Sequence, residues 1–141
     1  MPYKDPEKRK EASAASAKRW AQRHPEQART NAREWRRRNP ECILVHSAKR
    51  RAKEKGIVFE LTTENCPRVP EFCPILGIKL EMRPDGVKGP WNASPTLDRI
   101  DPNKGYTVDN VRVISFQANR MKSDMTIEML ERLISYMRGE L

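Results

Sequence analysis

Three similar breaks divide the first 55 residues of the chain: Asp5-Pro6-Glu7, His24-Pro25-Glu26 and Asn39-Pro40-Glu41. Proline lacks an N–H and breaks a helix from inside, but at the first helical position that N–H would go unpaired anyway. Asp and Asn cap helix starts, and Glu in the first turn meets the positive end of the helix dipole. The marks therefore predict three consecutive helices, at about 6–23, 25–38 and 40–55, with Gly56 ending the last. The second and third marks also close a repeat: Arg19-Trp20-Ala21-Gln22-Arg23-His24-Pro25-Glu26 is echoed 15 residues on by Glu34-Trp35-Arg36-Arg37-Arg38-Asn39-Pro40-Glu41. These helices consist mostly of Ala, Arg, Lys, Gln and Glu, which favour helix and offer little to bury. One core built from the whole chain is excluded on that ground.

Charge follows the same division. Of the 141 residues, those from 1 to 55 hold 17 Lys+Arg and 7 Asp+Glu, those from 56 to 141 hold 11 and 12, and the formal net charge is +9. A basic half joined to a nearly neutral half reads as an arm (1–55) that grips a polyanion and a body (56–141) that does something else. In the arm, Arg36, Arg37, Arg38, Lys49, Arg50 and Arg51 are the expected phosphate contacts, and Trp20 and Trp35 either dock on the body or stack on bases. Phe and Leu are nearly absent from the arm, which counts against an acidic-membrane coat. No apolar run approaches the roughly 18 residues of a membrane span, and the charged N-terminus offers no signal-peptide apolar region, so a soluble, cytoplasmic protein without a membrane partner is expected. Three cysteines, an odd number, suit reduced thiols.

Apolar residues and turn signals return in the body. Ile57 to Leu61 reads as a short strand, Thr62 to Asn65 as a helix start, and Cys73 to Leu80 as a turn into a strand. The stretch from Arg83 to Pro95 is a loop. Thr96 to Ile100 and Val111 to Ile114 read as strands around an Asp101 to Gly105 turn, followed by a short helix at about 115–123. Ile127, Leu130, Leu133, Ile134 and Met137 recur at helical spacing, which predicts an amphipathic helix at about 127–139 that covers the body. The fold class is therefore α+β.

Chemistry can sit in the strand, loop, strand, helix order around 96–123. Asp98 lies near the end of the first strand, Asn110 closes the loop, and Asn119 shares a helix face with Phe116, Arg120 and Ser123. An Asp on a strand and an Asn on a facing helix offer two hard oxygens. Mg²⁺ suits such a site because it keeps several waters and completes its shell with phosphate oxygens. By spacing alone, a cap or turn role is the better account of any one of these residues.

The run as a whole is more specific. Leu97-Asp98-Arg99-Ile100, Gly105-Tyr106, Asp109-Asn110-Val111-Arg112-Val113-Ile114-Ser115 and Asn119-Arg120-Met121-Lys122-Ser123-Asp124 resemble the HNH endonucleases, the ββα-metal or His-Me finger nucleases, over roughly residues 73–124. The likeness is to the small free-standing phage- and intron-type (homing-like) members, which implies action in a host cytoplasm. It implies a ββα-metal finger body, an Mg²⁺ or Mn²⁺ cofactor and double-stranded DNA as substrate. Asp98 matches the acidic metal ligand, Asn119 the metal ligand on the helix, and Asn110 the Asn that braces the loop. Lys104, Arg112, Arg120 and Lys122 are then expected to touch phosphates beside the metal.

The chain departs from the family pattern twice. Many relatives hold a structural zinc with two CxxC pairs, but the four matching positions here are Cys73, Leu76, Ser115 and Ala118. One sulfur cannot make a four-ligand zinc site, so no structural zinc is expected, and packing by the last helix takes its place. The residue after the acidic ligand is normally a His acting as general base. Here it is Arg99, which stays protonated and cannot accept a proton. Arg99 would instead clamp the scissile phosphate; three side chains, Asp101, Tyr106 and His46, remain open as the base, as does the metal-bound water itself with a phosphate oxygen. Three functions follow: a metal-dependent endonuclease, a non-catalytic DNA-binding protein on the same body, or a basic RNA-binding protein. Cutting both strands would call for a homodimer or two visits.

Overall fold

In the computed structural model of the chain, which describes residues 5–123 and 125–141, all three proline marks open helices. They are α1 (Pro6–Arg23), α2 (Pro25–Arg38) and α3 (Pro40–Lys55). Asp5 Oδ1 accepts the Glu7 N–H at 2.9 Å, the expected cap. At the end of α3, Gly56 takes φ +64° and the Ile57 N–H returns to the Ala52 carbonyl at 2.9 Å, so glycine closes this helix as expected.

The chain divides into two compact units, Met1–Asn39 and Pro40–Leu141. In the first, neither α1 nor α2 buries a residue, as their composition predicts. Trp20 and Trp35 are 43% and 49% exposed, and the Trp20 ring lies 5.3 Å from that of His24.

The second unit starts 16 residues before the boundary read from the charge pattern, because α3 belongs to it. Leu44, Val45, Ala48 and Ala52 recur along one face of α3 and are buried. They pack with Leu61, Cys66, Leu97, Tyr106, Val111 and Val113 in the larger of two apolar clusters. The sheet is an antiparallel pair, β1 (Pro95–Arg99) and β2 (Val111–Ser115), with Leu97 opposite Val113 and Asp98 opposite Arg112. A short 3-10 helix (Val108–Asn110) and two further α-helices, α4 (Phe116–Lys122) and α5 (Ile127–Met137), complete the described elements of an α+β molecule. Side chains alternate along a strand, so Leu97 and Val113 join the α3 cluster while Ile114 joins a second cluster with Cys73 and Ala118.

That second cluster gathers the positions where zinc ligands were missing from the sequence. Leu76, Ile78 and Leu80 pack against Cys73, Ile114 and Ala118, and the Ser115 N–H donates to Cys73 Sγ at 3.4 Å. The Cys73 N–H bonds the Ile78 carbonyl at 2.8 Å, and Gly77, at φ +66°, allows the tight return. Burial pushes the Cys73 thiol up, but hydrogen bonds from Ser115, Leu76 and Ile75 outweigh it and hold the thiol below its usual value. Cys66 sits in the other cluster, where burial, and then the nearby Glu41 charge, push its thiol up to about 11. All three cysteines are free thiols. If apolar contacts alone hold this cluster, adding EDTA is expected to leave the thermal melting curve of the protein unchanged. A lowered melting temperature would reveal a zinc-dependent core.

Three expectations require correction. The strand expected at 57–61 is a single parallel bridge between Phe59 and Tyr106. Its hydrogen bonds run from the Tyr106 N–H to the Val58 carbonyl at 2.9 Å and from the Glu60 N–H to the Tyr106 carbonyl at 3.0 Å. The approach is close enough that a Cβ on Gly105 would lie 2.7 Å from the Val58 oxygen. The helix expected from 62 stops after one turn: Asn65 and Thr62 exchange side-chain bonds in a cap, but Pro67 has no N–H to continue it. Most consequentially, α5 buries none of its residues, and Ile127, Leu133, Ile134 and Met137 are all exposed. It therefore neither covers the body nor replaces the zinc. The hairpin's two faces are filled by α3 on one side and by the 73–80 turn with α4 on the other. No helix among the described residues is long and apolar enough to cross a membrane.

Candidate active site

Strand alternation sends Thr96 and Asp98 to the face opposite Leu97, where α4 lies. Ser115 opens α4 by accepting the Ala118 N–H at 3.1 Å, so the helix leaves β2 directly and returns along that face. Asn119 Nδ2 donates to Thr96 Oγ1 at 3.2 Å, and one turn later Lys122 Nζ donates to Asp98 Oδ2 at 2.7 Å. The same ammonium bonds the Arg99 carbonyl and reaches the Ile100 carbonyl at 3.4 Å. Asp98 and Asn119, paired in the sequence as metal ligands, thus line one cavity of about 360 Å³. Asp124, the last residue of the run, lies outside the described residues.

The turn between the strands is built around Asn110, which is 5% exposed. Its Oδ1 accepts the Asp101 N–H at 2.9 Å, and its Nδ2 donates to the carbonyls of Asp101 at 3.1 Å and Gly105 at 2.9 Å. Arg99 ties the same turn from outside, donating from Nη1 to the carbonyls of Pro102 at 2.7 Å and Lys104 at 2.8 Å. Its guanidinium lies 5.4 Å from the centre of the Tyr106 ring.

Among the three side chains left open as the base, only Tyr106 lines the cavity. Asp101 is spent within its own turn: Oδ1 accepts the Asn103 N–H at 2.9 Å and Oδ2 lies 3.9 Å from Lys104 Nζ. His46 is exposed on α3 and does not line the cavity. Of the expected phosphate contacts, Arg120 lines the cavity, whereas Lys104 and Arg112 are exposed outside it. Lys122 faces the cavity too, but its ammonium is engaged with Asp98 rather than presented outward. Arg36, Arg37 and Arg38 on α2 and Lys49 and Arg50 on α3 are exposed.

Arg51 corrects the assignment of α3 to the arm. Its Nη2 donates to the Leu97 carbonyl at 3.1 Å and its Nε reaches the Tyr106 hydroxyl at 3.5 Å, so it sits at the floor of the cavity. Lys55, one turn on and unnoticed in the sequence, lines the same wall. A signal existed: Arg51 and Lys55 follow the buried Ala48 and Ala52 by three residues each, which puts them beside the packed face of one helix. The cavity therefore carries five cationic side chains, Arg51, Lys55, Arg99, Arg120 and Lys122, around one carboxylate, Asp98.

Such a lining favours an anion with several oxygens, and its oxygen donors suit a hard divalent ion. No group of three His, Cys, Asp or Glu capable of holding a metal occurs among the described residues. The hydrogen bond from Lys122 falls on Asp98 Oδ2, and Asn119 bonds Thr96 through Nδ2. One carboxylate and one amide oxygen fit Mg²⁺ or Mn²⁺, which fill the rest of their shell with water and phosphate. Compared with known proteins, the chain matches no family model, no curated protein and no solved structure.

Proposed function

We propose that the protein is a metal-dependent DNA endonuclease of the HNH, or ββα-metal, type that hydrolyses phosphodiester bonds. The observation that supports this reading best is the cavity itself, where five cations surround one carboxylate and one amide at the junction of a hairpin and the helix that follows it. In this reading Asp98 and Asn119 hold Mg²⁺ or Mn²⁺, which when bound polarises a phosphate oxygen and offsets charge on the departing oxygen.

The chain's own residues do the rest. Arg51, Lys55 and Arg120 hold the phosphate by charge and by directed N–H donors. Arg99 remains protonated, so it stabilises charge that builds on the phosphoryl group and takes no proton. Tyr106, with its hydroxyl beside Arg51 Nε, is the side chain placed to relay the proton of the attacking water. Asn110 keeps the 101–105 turn shaped so that Arg99 stays over Tyr106. Outside the cavity, Arg36 to Arg38, Lys49, Arg50, Lys104 and Arg112 bind phosphates of flanking duplex DNA, and cleavage of both strands takes a homodimer or two visits.

The test is supercoiled plasmid incubated with the purified protein. Open-circle product is expected with Mg²⁺ or Mn²⁺, none with EDTA, and about a tenth of the wild-type rate should survive in Asn119→Ala. Absence of product with both metals would overturn the reading. It would favour the second one, a non-catalytic DNA-binding protein, which Arg99 in place of a proton acceptor supports and which requires only salt-sensitive, metal-independent binding.

A further inference from the structure

Lys122 engages the site in a way the proposed hydrolysis does not use. Its ammonium is surrounded by one carboxylate oxygen, Asp98 Oδ2, and two main-chain carbonyls, those of Arg99 and Ile100. Three oxygens converging on one small cation make the kind of donor set that hard metal ions take, and an ammonium has three N–H donors to fill it. The pair is also partly withdrawn from water, with side chains 17% exposed at Asp98 and 32% at Lys122. Lys122 is the last residue of α4, and the next residue, Ser123, takes the left-handed φ of +29° that a non-glycine residue seldom adopts. The helix therefore ends where the ammonium meets the strand.

We propose that Lys122 is a tethered cation that occupies Asp98 Oδ2 in the metal-free protein and exchanges with the divalent ion. The inference rests on the endonuclease reading, and concerns how its metal site is regulated. An ammonium and a divalent cation repel one another at contact distance, so the two exclude each other from Asp98 Oδ2. Lysine suits this role because its four-carbon stem lets the charge swing without moving the helix. Once displaced, the ammonium lies beside the phosphate-binding wall formed by Arg120 and Lys55. A bound phosphodiester then favours the displaced position, so metal and nucleic acid enter together and the protein alone holds metal weakly.

The experiment measures Mn²⁺ binding to the full chain, without nucleic acid, by the loss of the free-ion paramagnetic resonance signal. Lys122→Gln is expected to bind at least roughly tenfold tighter than wild type, and adding Asp98→Asn to it should abolish the gain. Lys55→Gln removes an equal charge from the same cavity without touching Asp98, and should change affinity far less. If Lys122→Gln gains nothing, or Lys55→Gln gains as much, the proposal is overturned. A readout on the unaltered protein guards against a misfolded variant: the hydrogen-bonded Lys122 ammonium should give a nitrogen-15 resonance that disappears as Mg²⁺ is added, and its persistence at saturation would equally overturn the proposal. Plasmid nicking by wild type with no affinity gain in Lys122→Gln would sink this inference alone. A gain that depends on Asp98, in a protein that never nicks, would sink the endonuclease reading and leave the exchange standing.

Discussion

Asp98→Ala is expected to lower plasmid nicking by roughly 100-fold or more while leaving the protein folded. Asp98 is the one carboxylate lining a cavity that holds five cations, so no neighbour can supply the missing anionic oxygen. Stability should change by less than about 1 kcal/mol, because the partner is not stranded. Lys122 keeps its two carbonyl acceptors, and its side chain is 32% exposed, enough to reach water. Thermal melting of the variant beside a nicking time course separates the two effects. A variant that nicks at the wild-type rate would remove Asp98 from the chemistry, and one that fails to melt cooperatively would make it structural.

The opposite pattern is expected of Asn110→Ala, where the larger loss is in the fold. Three hydrogen bonds converge on this 5%-exposed side chain, and alanine leaves the Asp101 N–H and two carbonyls without their partner in a turn too tight to rearrange. Net losses of roughly 0.5–1.5 kcal/mol for each of the three bonds give about 2–4 kcal/mol. In a unit of this size that lowers the melting temperature by roughly 10–20 °C. Asn110→Asp should fare no better, since it can still accept from Asp101 but turns a carboxylate toward two carbonyl oxygens. A loss under about 1 kcal/mol for both would mean the turn holds without the brace.

What could be read from residues alone was local. The proline marks located three helices because Pro-Glu after a polar residue has few other uses. Asp98 and Asn119 converge because a strand alternates and a helix turns every 3.6 residues, both of which the sequence displays. The most consequential misreadings were of partnership. Composition made α3 look like arm, since its four buried residues include two alanines, which score as weakly apolar yet fit closely against a hairpin. The strong periodicity of α5 announced an apolar face but could not say what it faces, and the described residues leave it exposed. Lys122 was read as a phosphate contact because Lys usually is one; that its ammonium meets the end of β1 depends on the turn of chain at Ser115, which no spacing rule supplies.

The position of α3 fixes where the molecule can be taken apart. A chain beginning at Gly56 would lose Leu44, Val45, Ala48 and Ala52 from its main cluster, and Arg51 and Lys55 from the cavity wall. A chain beginning at Pro40 keeps all six. The seam for exchanging modules therefore falls at Asn39–Pro40, so a different helical segment could be grafted there without altering a side chain that lines the cavity.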